Sequence, residues 1–288
     1  MAYLFLIISV ITSATSSIFG KMFNRKNDGC KDTSWFYNFY LTLILALAWG
    51  FLFLFDFSFD VGVLPYALLF SLCFTVCNIG IINALKYGPA ALTALLVGLS
   101  LLVTTIWGFL FWDAKISVAV IIGLVFVVAA IVLCLYSKEK DDKSVSFKWL
   151  FYVCFAFFGN AGCSIVQRTQ QVKFDGKHGN MLMFFAVSIA AVVFLFFYLK
   201  SDRSDTKVML KNSWWIPICE GTSNLILNLM VMLMATTALS PSLIYPVISV
   251  GGLAIVTVFS LVVFKEKMHW WQWIGICVGA VAVVLLSF

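Results

Sequence analysis

The chain has 288 residues, of which 62% are hydrophobic and only 11% are charged. Soluble domains are about one quarter charged, so this composition excludes an ordinary water-soluble globule. The formal net charge of +6 does not indicate nucleic-acid binding, because the basic residues lie in loops beside apolar stretches rather than along one face.

Apolar stretches, each of about 20 residues and thus long enough to cross a membrane as a helix, follow one another along almost the whole chain. We therefore predict an all-α membrane protein with ten transmembrane helices. The predicted spans are Ala2–Met22, Trp35–Phe55, Leu64–Tyr87, Pro89–Trp112, Ile116–Tyr136, Phe147–Arg168, Met181–Lys200, Trp214–Ala238, Pro241–Phe264 and Trp270–Leu286.

The second half of the sequence repeats the first. One constant interval pairs Ser17 with Ser164, Lys21 with Arg168 and Asp28-Gly29 with Asp175-Gly176, and a second pairs Pro65 with Pro217, Pro89 with Pro241, Thr105 with Thr257, Lys115 with Lys267 and Gly123 with Gly275. An odd number of crossings places the two copies in opposite orientations. The sequence therefore predicts two inverted five-helix repeats, residues 1–137 and 147–288, joined by a charged linker at 138–146.

The distribution of positive charge predicts the orientation in the membrane. Four of the nineteen Lys and Arg residues (Lys115, Arg168, Lys173 and Lys177) fall on one predicted side, and the other fifteen fall on the opposite side. The side richer in Lys and Arg is cytoplasmic in multi-pass proteins. We expect a multi-pass protein of the plasma (cytoplasmic, or inner) membrane with both termini outside.

Polar residues recur at helical spacing in predicted spans 1, 3, 4, 6, 8 and 9, but spans 2, 5, 7 and 10 carry few. A polar stripe on a helix in lipid must face protein, water or a ligand, so we predict that these six helices surround a polar cavity. Alternatively, the hydroxyls and amides bond between helices as packing contacts worth roughly 0.6 kcal/mol each. The predicted substrate-binding residues are Asn78, Ser100, Thr104, Trp107, Asn160, Ser164, Gln167, Glu220, Asn224, Asn228, Tyr245 and Ser249.

Charged residues inside or at the ends of the spans are further candidates. An isolated acid at the depth of Glu220 costs several kcal/mol, so a partner or water is required. Glu220 is interpreted either as a proton-coupling or substrate-amine site, or as a structural ion pair with Lys21 or Lys86. Lys21 and Arg168 occupy matching repeat positions at opposite faces, where they either attract anionic substrate groups at gates or snorkel to lipid headgroups.

The ninth predicted span contains helix-breaking residues. Tyr245-Pro246 and then Gly251-Gly252 predict an interruption, because Pro removes one helical hydrogen bond. Carbonyl groups freed in this way can line a transport site, although plain kinking without ligand contact remains the alternative.

Together these features resemble the drug/metabolite transporter superfamily, specifically its EamA-like ten-helix members. The resemblance rests on the repeat, on Gly88-Pro89 and Ser240-Pro241 at the entries to helices 4 and 9, and on Phe264-Lys265-Glu266-Lys267-Met268 leading through Gln272 to Gly275. It implies a central cavity between helices 1, 3, 4, 6, 8 and 9 and alternating access by rocking of the halves. One departure is that Ala114 stands where the first half of the family usually has the counterpart of Glu266.

We predict a secondary active transporter that exports a small polar or amphipathic metabolite, amino-acid-like or similar. The alternative is multidrug efflux of amphipathic cations by proton antiport, although neither span 1 nor span 6 has the central acid this would need. No Ser-His-Asp set or metal cluster supports an enzyme, and neither a cofactor nor a metal is expected. The expected partners are the solute, a coupled proton and the lipid bilayer, with no nucleic acid, and the protein is expected to be a monomer or a weak dimer.

Overall fold

The computed structural model describes residues 2–100, 103, 106–107, 110–111, 117–135, 146–235 and 241–285. Its regular elements are helices, with one 3-10 turn at Val61–Val63. In chain order they are α1 (Ala2–Ser13), α2 (Thr15–Lys26), α3 (Thr33–Phe55), α4 (Leu64–Tyr87), α5 (Ala90–Gly98), α6 (Val118–Leu135), α7 (Phe147–Lys173), α8 (Gly179–Lys200), α9 (Thr206–Ser213), α10 (Trp215–Ala235), α11 (Pro241–Val262) and α12 (Trp270–Leu285).

Several of these helices have the length and apolar composition of membrane spans. Five described stretches qualify on both counts: Tyr3–Lys26, Thr33–Phe55, Val61–Tyr87, Phe147–Lys173 and Gly179–Lys200. Shorter apolar helices cover Ile121–Ala130, Val247–Val262 and Trp270–Leu285. Much of the fourth predicted span lies outside the described residues, so the number of ten helices stays a prediction.

The first span is interrupted at Ala14, where α1 meets α2. The hydroxyl of Ser13 donates to the carbonyl of Val10 at 2.8 Å, and that carbonyl is the acceptor that the N–H of Ala14 would use in a regular helix. The hydroxyl of Thr15 donates to the carbonyl of Thr12 at 2.6 Å. Such back-bonding by Ser and Thr competes with the helical ladder and accounts for the interruption.

Helices α4 and α7 cross in direct backbone contact. A Cβ on Gly80 would lie 2.8 Å from the Cα of Ala156, and one on Gly159 would lie 2.6 Å from the backbone nitrogen of Cys77. Small residues permit this close approach, as they do between membrane helices generally. The crossing brings the polar residues of both helices to the centre of the bundle.

Other pairs in close contact include α1 with α10, α3 with α8, α5 with α11 and α6 with α12. Helix α11 runs without a break from Pro241 to Val262, so the predicted interruption of the ninth span is wrong. A Cβ on Gly251 would lie 2.6 Å from a methyl carbon of Val10. The glycines therefore allow α11 to approach α1 instead of breaking the helix.

The apolar core forms two main clusters. One packs α2, α3, α4 and α8 around Phe23, Leu45 and Met181. The other joins α5, α6, α7, α11 and α12 around side chains that include Leu253. Leu45 and Leu253 also line a central cavity, which therefore lies between the two clusters.

Candidate functional site

A cavity of about 370 Å³ lies at the centre of the bundle. Its polar lining comes from the predicted spans 1, 3, 4, 6, 8 and 9, as the stripes indicated. Its polar lining residues are Ser13, Ser16, Ser17, Asn78, Thr93, Asn160, Ser164, Gln167, Glu220, Asn224, Asn228 and Ser249.

Helices α3 and α8 also reach the cavity, although spans 2 and 7 were expected to lie outside. They contribute apolar side chains, among them Trp49 and Met183. An apolar cavity wall leaves no polar stripe in a membrane helix, so the sequence pattern has no signal for it.

Eight of the twelve predicted binding residues line this cavity. Ser100 does not line it but lies buried behind it, where its hydroxyl oxygen accepts from the amide nitrogen of Asn160 at 2.8 Å. Thr104 and the side chain of Tyr245 fall outside the described residues.

Trp107 lies at a separate cavity of about 400 Å³, shared with Phe111, Thr169, Val172 and Lys173. The prediction placed Trp107 on the face of Ser100 by assuming one continuous helix. Regular α5 ends at Gly98, however, so helical spacing does not carry that face onward.

Glu220 is the one acid in the described lining of the cavity, and 4% of its surface is exposed. The hydroxyl of Ser16 lies within reach of its carboxyl group. Its Oε2 atom has no hydrogen-bond partner in the part of the chain that the structure describes.

Asn224 and Asn228 continue the same face of α10, one and two turns beyond Glu220. The amide nitrogen of Asn228 donates to the backbone carbonyl of Asn224 at 2.8 Å and to its side-chain oxygen at 3.1 Å. A carboxyl group and two amides thus form one polar column along the cavity wall.

Lys21 does not pair with Glu220. Its ammonium nitrogen lies 3.0 Å from Oε1 of Glu266 and also donates to the carbonyl of Gly88. The two charged side chains are 12% and 9% exposed, so this is a largely buried ion pair. The structure therefore corrects the proposed pairing of Glu220 with Lys21.

Glu266 also joins three parts of the chain. Its Oε2 atom accepts from the backbone N–H of Ala90 at 2.9 Å, at the start of α5, and from the hydroxyl of Ser260. A carboxylate at a helix N-terminus is favourable because the helix dipole is positive there. Nearby, Arg25 donates to the carbonyl of Phe264 at 2.6 Å, which ties α2 to the connection between α11 and α12.

These contacts lie at one end of the cavity. Lys21 follows Ser17, a cavity-lining residue, by one helical turn, so the buried ion pair lies directly beyond the polar lining. At the same end, the indole N–H of Trp149 donates to the hydroxyl of Thr93 at 2.9 Å. Neither contact was predicted from the sequence, although Lys21 and Glu266 both lie near span ends on the same predicted side.

The other two predicted charge candidates are exposed. Lys86 lies in the last turn of α4, and Arg168 follows the cavity-lining Gln167 on α7. Neither belongs to the described lining of the cavity.

Membrane-length helices around a polar cavity define a multi-pass membrane protein. The model of the EamA-like transporter family matches residues 1–136 and 147–288, which together span almost the whole chain. The chain belongs to the EamA-like transporter family of the drug/metabolite transporter superfamily, which confirms the resemblance seen in the sequence. The members of this family are transporters, not enzymes.

Two further similarities are more distant. An uncharacterized protein of Haemophilus influenzae is 24% identical over 193 residues, which are 66% of this chain. The match spans 64% of the length of that relative. A solved structure, described only as a crystal structure of a protein, is 13% identical with a TM-score of 0.61 and covers 99% of this chain and 97% of its own. That similarity concerns the fold alone.

Proposed function

We propose that the protein is a secondary active transporter that exports a small polar or amphipathic metabolite across the cytoplasmic membrane by alternating access. The observation that carries this proposal is the central cavity, whose polar lining is drawn from helices of both halves. Polar groups at membrane depth mark substrate pathways, and a cavity of about 370 Å³ is of a size that holds small ligands.

We further infer that the halves, residues 1–137 and 147–288, are inverted five-helix repeats. The helix pairs support this. In the proposed repeat α4 corresponds to α10 and α7 corresponds to α1, so the contact of α4 with α7 is equivalent to the contact of α10 with α1. In each of the pairs α3–α8, α5–α11 and α6–α12, a helix contacts its own counterpart in the other half. Gly29 and Gly176, separated by the same interval as Lys21 and Arg168, both have positive φ, at 86° and 75°.

The unequal numbers of Lys and Arg on the two predicted sides predict how this arrangement is oriented in the membrane. The cavity end next to Lys21 and Glu266 would face the cytoplasm, and both termini would lie outside. Alternating access then requires α2 to separate from the connection between α11 and α12 whenever the cavity opens inward.

The test begins with a thermal-shift screen of the purified protein against a metabolite library, followed by flux measurements in proteoliposomes. At least one stabilising solute should cross protein-containing membranes faster than protein-free ones. Asn224→Ala should weaken binding of that solute about fivefold, the value of one lost hydrogen bond, with little loss of folded protein. Asn212→Ala, at an exposed position of α9, is the matched control. Stabilising solutes that show no protein-dependent flux would refute the carrier function.

Glu220 is the proposed site of proton coupling. If it carries the coupled proton, Glu220→Gln should abolish transport driven by a pH gradient. Unchanged pH dependence in that variant would exclude the role.

A further inference from the structure

We propose that Glu220 binds the ammonium group of the transported solute, so that the substrates are small organic amines that carry no carboxylate. The inference rests on the proposed carrier function and assigns the substrate class of the same cavity. Four features of the site support it.

The first feature is the unmet need of the carboxyl group itself. Glu220 is 4% exposed, and its Oε2 atom lacks a hydrogen-bond partner among the described residues. A buried carboxylate without a counter-charge costs several kcal/mol. Lys21, a candidate for that counter-charge, is bound to Glu266 instead. A solute cation would provide both the opposite charge and the missing hydrogen bond.

The second feature is the direction of the hydrogen bonds around the cavity. The amides of Asn78 and Asn160 donate to Phe74 and Ser100, each at 2.8 Å. The hydroxyl of Ser164 likewise donates to a backbone carbonyl, at 3.1 Å.

One proton of each of these amides and the proton of the Ser164 hydroxyl are thus committed to the protein, while the oxygen atoms of these groups keep acceptor capacity. An ammonium group has three donors and no acceptor, so it matches such a lining.

The third feature is the charge of the lining. The described part of the lining contains one acid, Glu220, and no Lys, Arg or His. A solute carboxylate would meet no opposite charge there and would be repelled by Glu220. Amines should therefore bind better than amino acids of the same skeleton.

The fourth feature is the apolar part of the cavity lining. Trp49, Phe70 and Phe74 line the cavity together with aliphatic side chains. Aromatic rings bury hydrocarbon well, and their faces attract cations. The best substrate should therefore combine an ammonium group with a compact apolar or aromatic part.

The test is a binding titration of the purified full chain in detergent. The probes are the amine, alcohol, carboxylate and α-amino acid forms of three skeletons: butyl, cyclohexylmethyl and phenethyl. On the tightest-binding skeleton, the amine should bind at least tenfold more tightly than the other three forms. Glu220→Gln should reduce the affinity of the amine to that of the alcohol and leave the alcohol unchanged.

Asp56→Asn is the matched control, because it removes one negative charge from an exposed loop and should leave every affinity unchanged. If Glu220→Gln does not fold, Glu220→Asp replaces it, and this variant should keep the preference for amines at lower affinity. The proposal is overturned if no amine binds, if the carboxylate or amino acid binds as tightly as the amine, or if Glu220→Gln leaves amine affinity intact.

These titrations involve no flux, so they separate the two proposals. A carrier whose solutes are not amines would refute the assignment of Glu220 alone. Specific amine binding without protein-dependent flux would refute the carrier function alone.

Discussion

Glu220 and Glu266 are both buried carboxylates, but their surroundings differ. Glu266 has the ammonium group of Lys21 at 3.0 Å and the N–H of Ala90 at 2.9 Å, beyond one end of the cavity. Glu220 lies in the cavity wall, and one of its oxygens has no partner in the described structure. The comparison separates two uses of a buried charge. Glu266, which is paired with a buried cation, holds helices together. Glu220 lies beside the cavity without an ion-pair partner among the described residues and is available to a ligand.

The largest expected effect comes from breaking the satisfied pair. Glu266→Gln leaves the ammonium group of Lys21 buried without its counter-charge, which should lower the free energy of unfolding by about 3 kcal/mol. Thermal denaturation in detergent measures this as a lower melting temperature.

The double variant Lys21→Met with Glu266→Gln is the control. Replacing both charges by groups of similar size removes the unpaired charge, so most of the lost stability should return. Equal melting temperatures for the single and double variants would contradict the assignment of a buried, mutually dependent pair.

A smaller effect, of opposite sign, is expected at the unsatisfied acid. Glu220→Gln keeps the shape of the side chain and removes a buried charge, so the ligand-free protein should melt at the same or a higher temperature. The stabilisation that a bound amine gives to the wild type should be lost. A decrease in melting temperature as large as that of Glu266→Gln would instead assign Glu220 a structural role.

The smallest effect is expected at an exposed pair, Lys31 and Asp202, whose side chains are 71% and 44% exposed. The backbone N–H of Ser204 donates to Asp202 and, with Lys31, lowers the pKa of that carboxyl to about 2. Its stabilisation is therefore present above the ordinary pKa of 3.8 and is lost as the pH falls toward 2. Asp202→Asn should lower the melting temperature at pH 7 by about 2 °C or less, because exposed pairs contribute little. A larger change in melting temperature at neutral pH, or one that persists at pH 2, would show that burial does not decide how much an ion pair contributes to stability.

The membrane helices could be predicted because each is defined by a long apolar run. The predicted span Trp35–Phe55 lies within α3, Thr33–Phe55. Helix α7, however, runs five residues past the predicted end at Arg168, because a polar last turn remains helical outside the apolar region. Helix α9 was missed for the same reason: it is short and polar, so hydropathy has no signal for it.

The cavity could be predicted only where polar residues follow one regular helix. Glu220, Asn224 and Asn228 keep four-residue spacing on α10, and all three line the cavity. The partner of Lys21 was beyond the reach of sequence reasoning. Whether Lys21 pairs with Glu220 or with Glu266 depends on how α2 packs against the connection between α11 and α12, which lies far away in the chain.

The most direct test of a cavity that opens alternately to the two faces is the accessibility of Asn224 from each side of the membrane. Asn224→Cys would be made in a background lacking the eight native cysteines and exposed in sealed vesicles to a thiol reagent that cannot cross the bilayer. The account predicts modification when the reagent is added to either face, in vesicles of either orientation. Modification from one face only, or from neither, would contradict it.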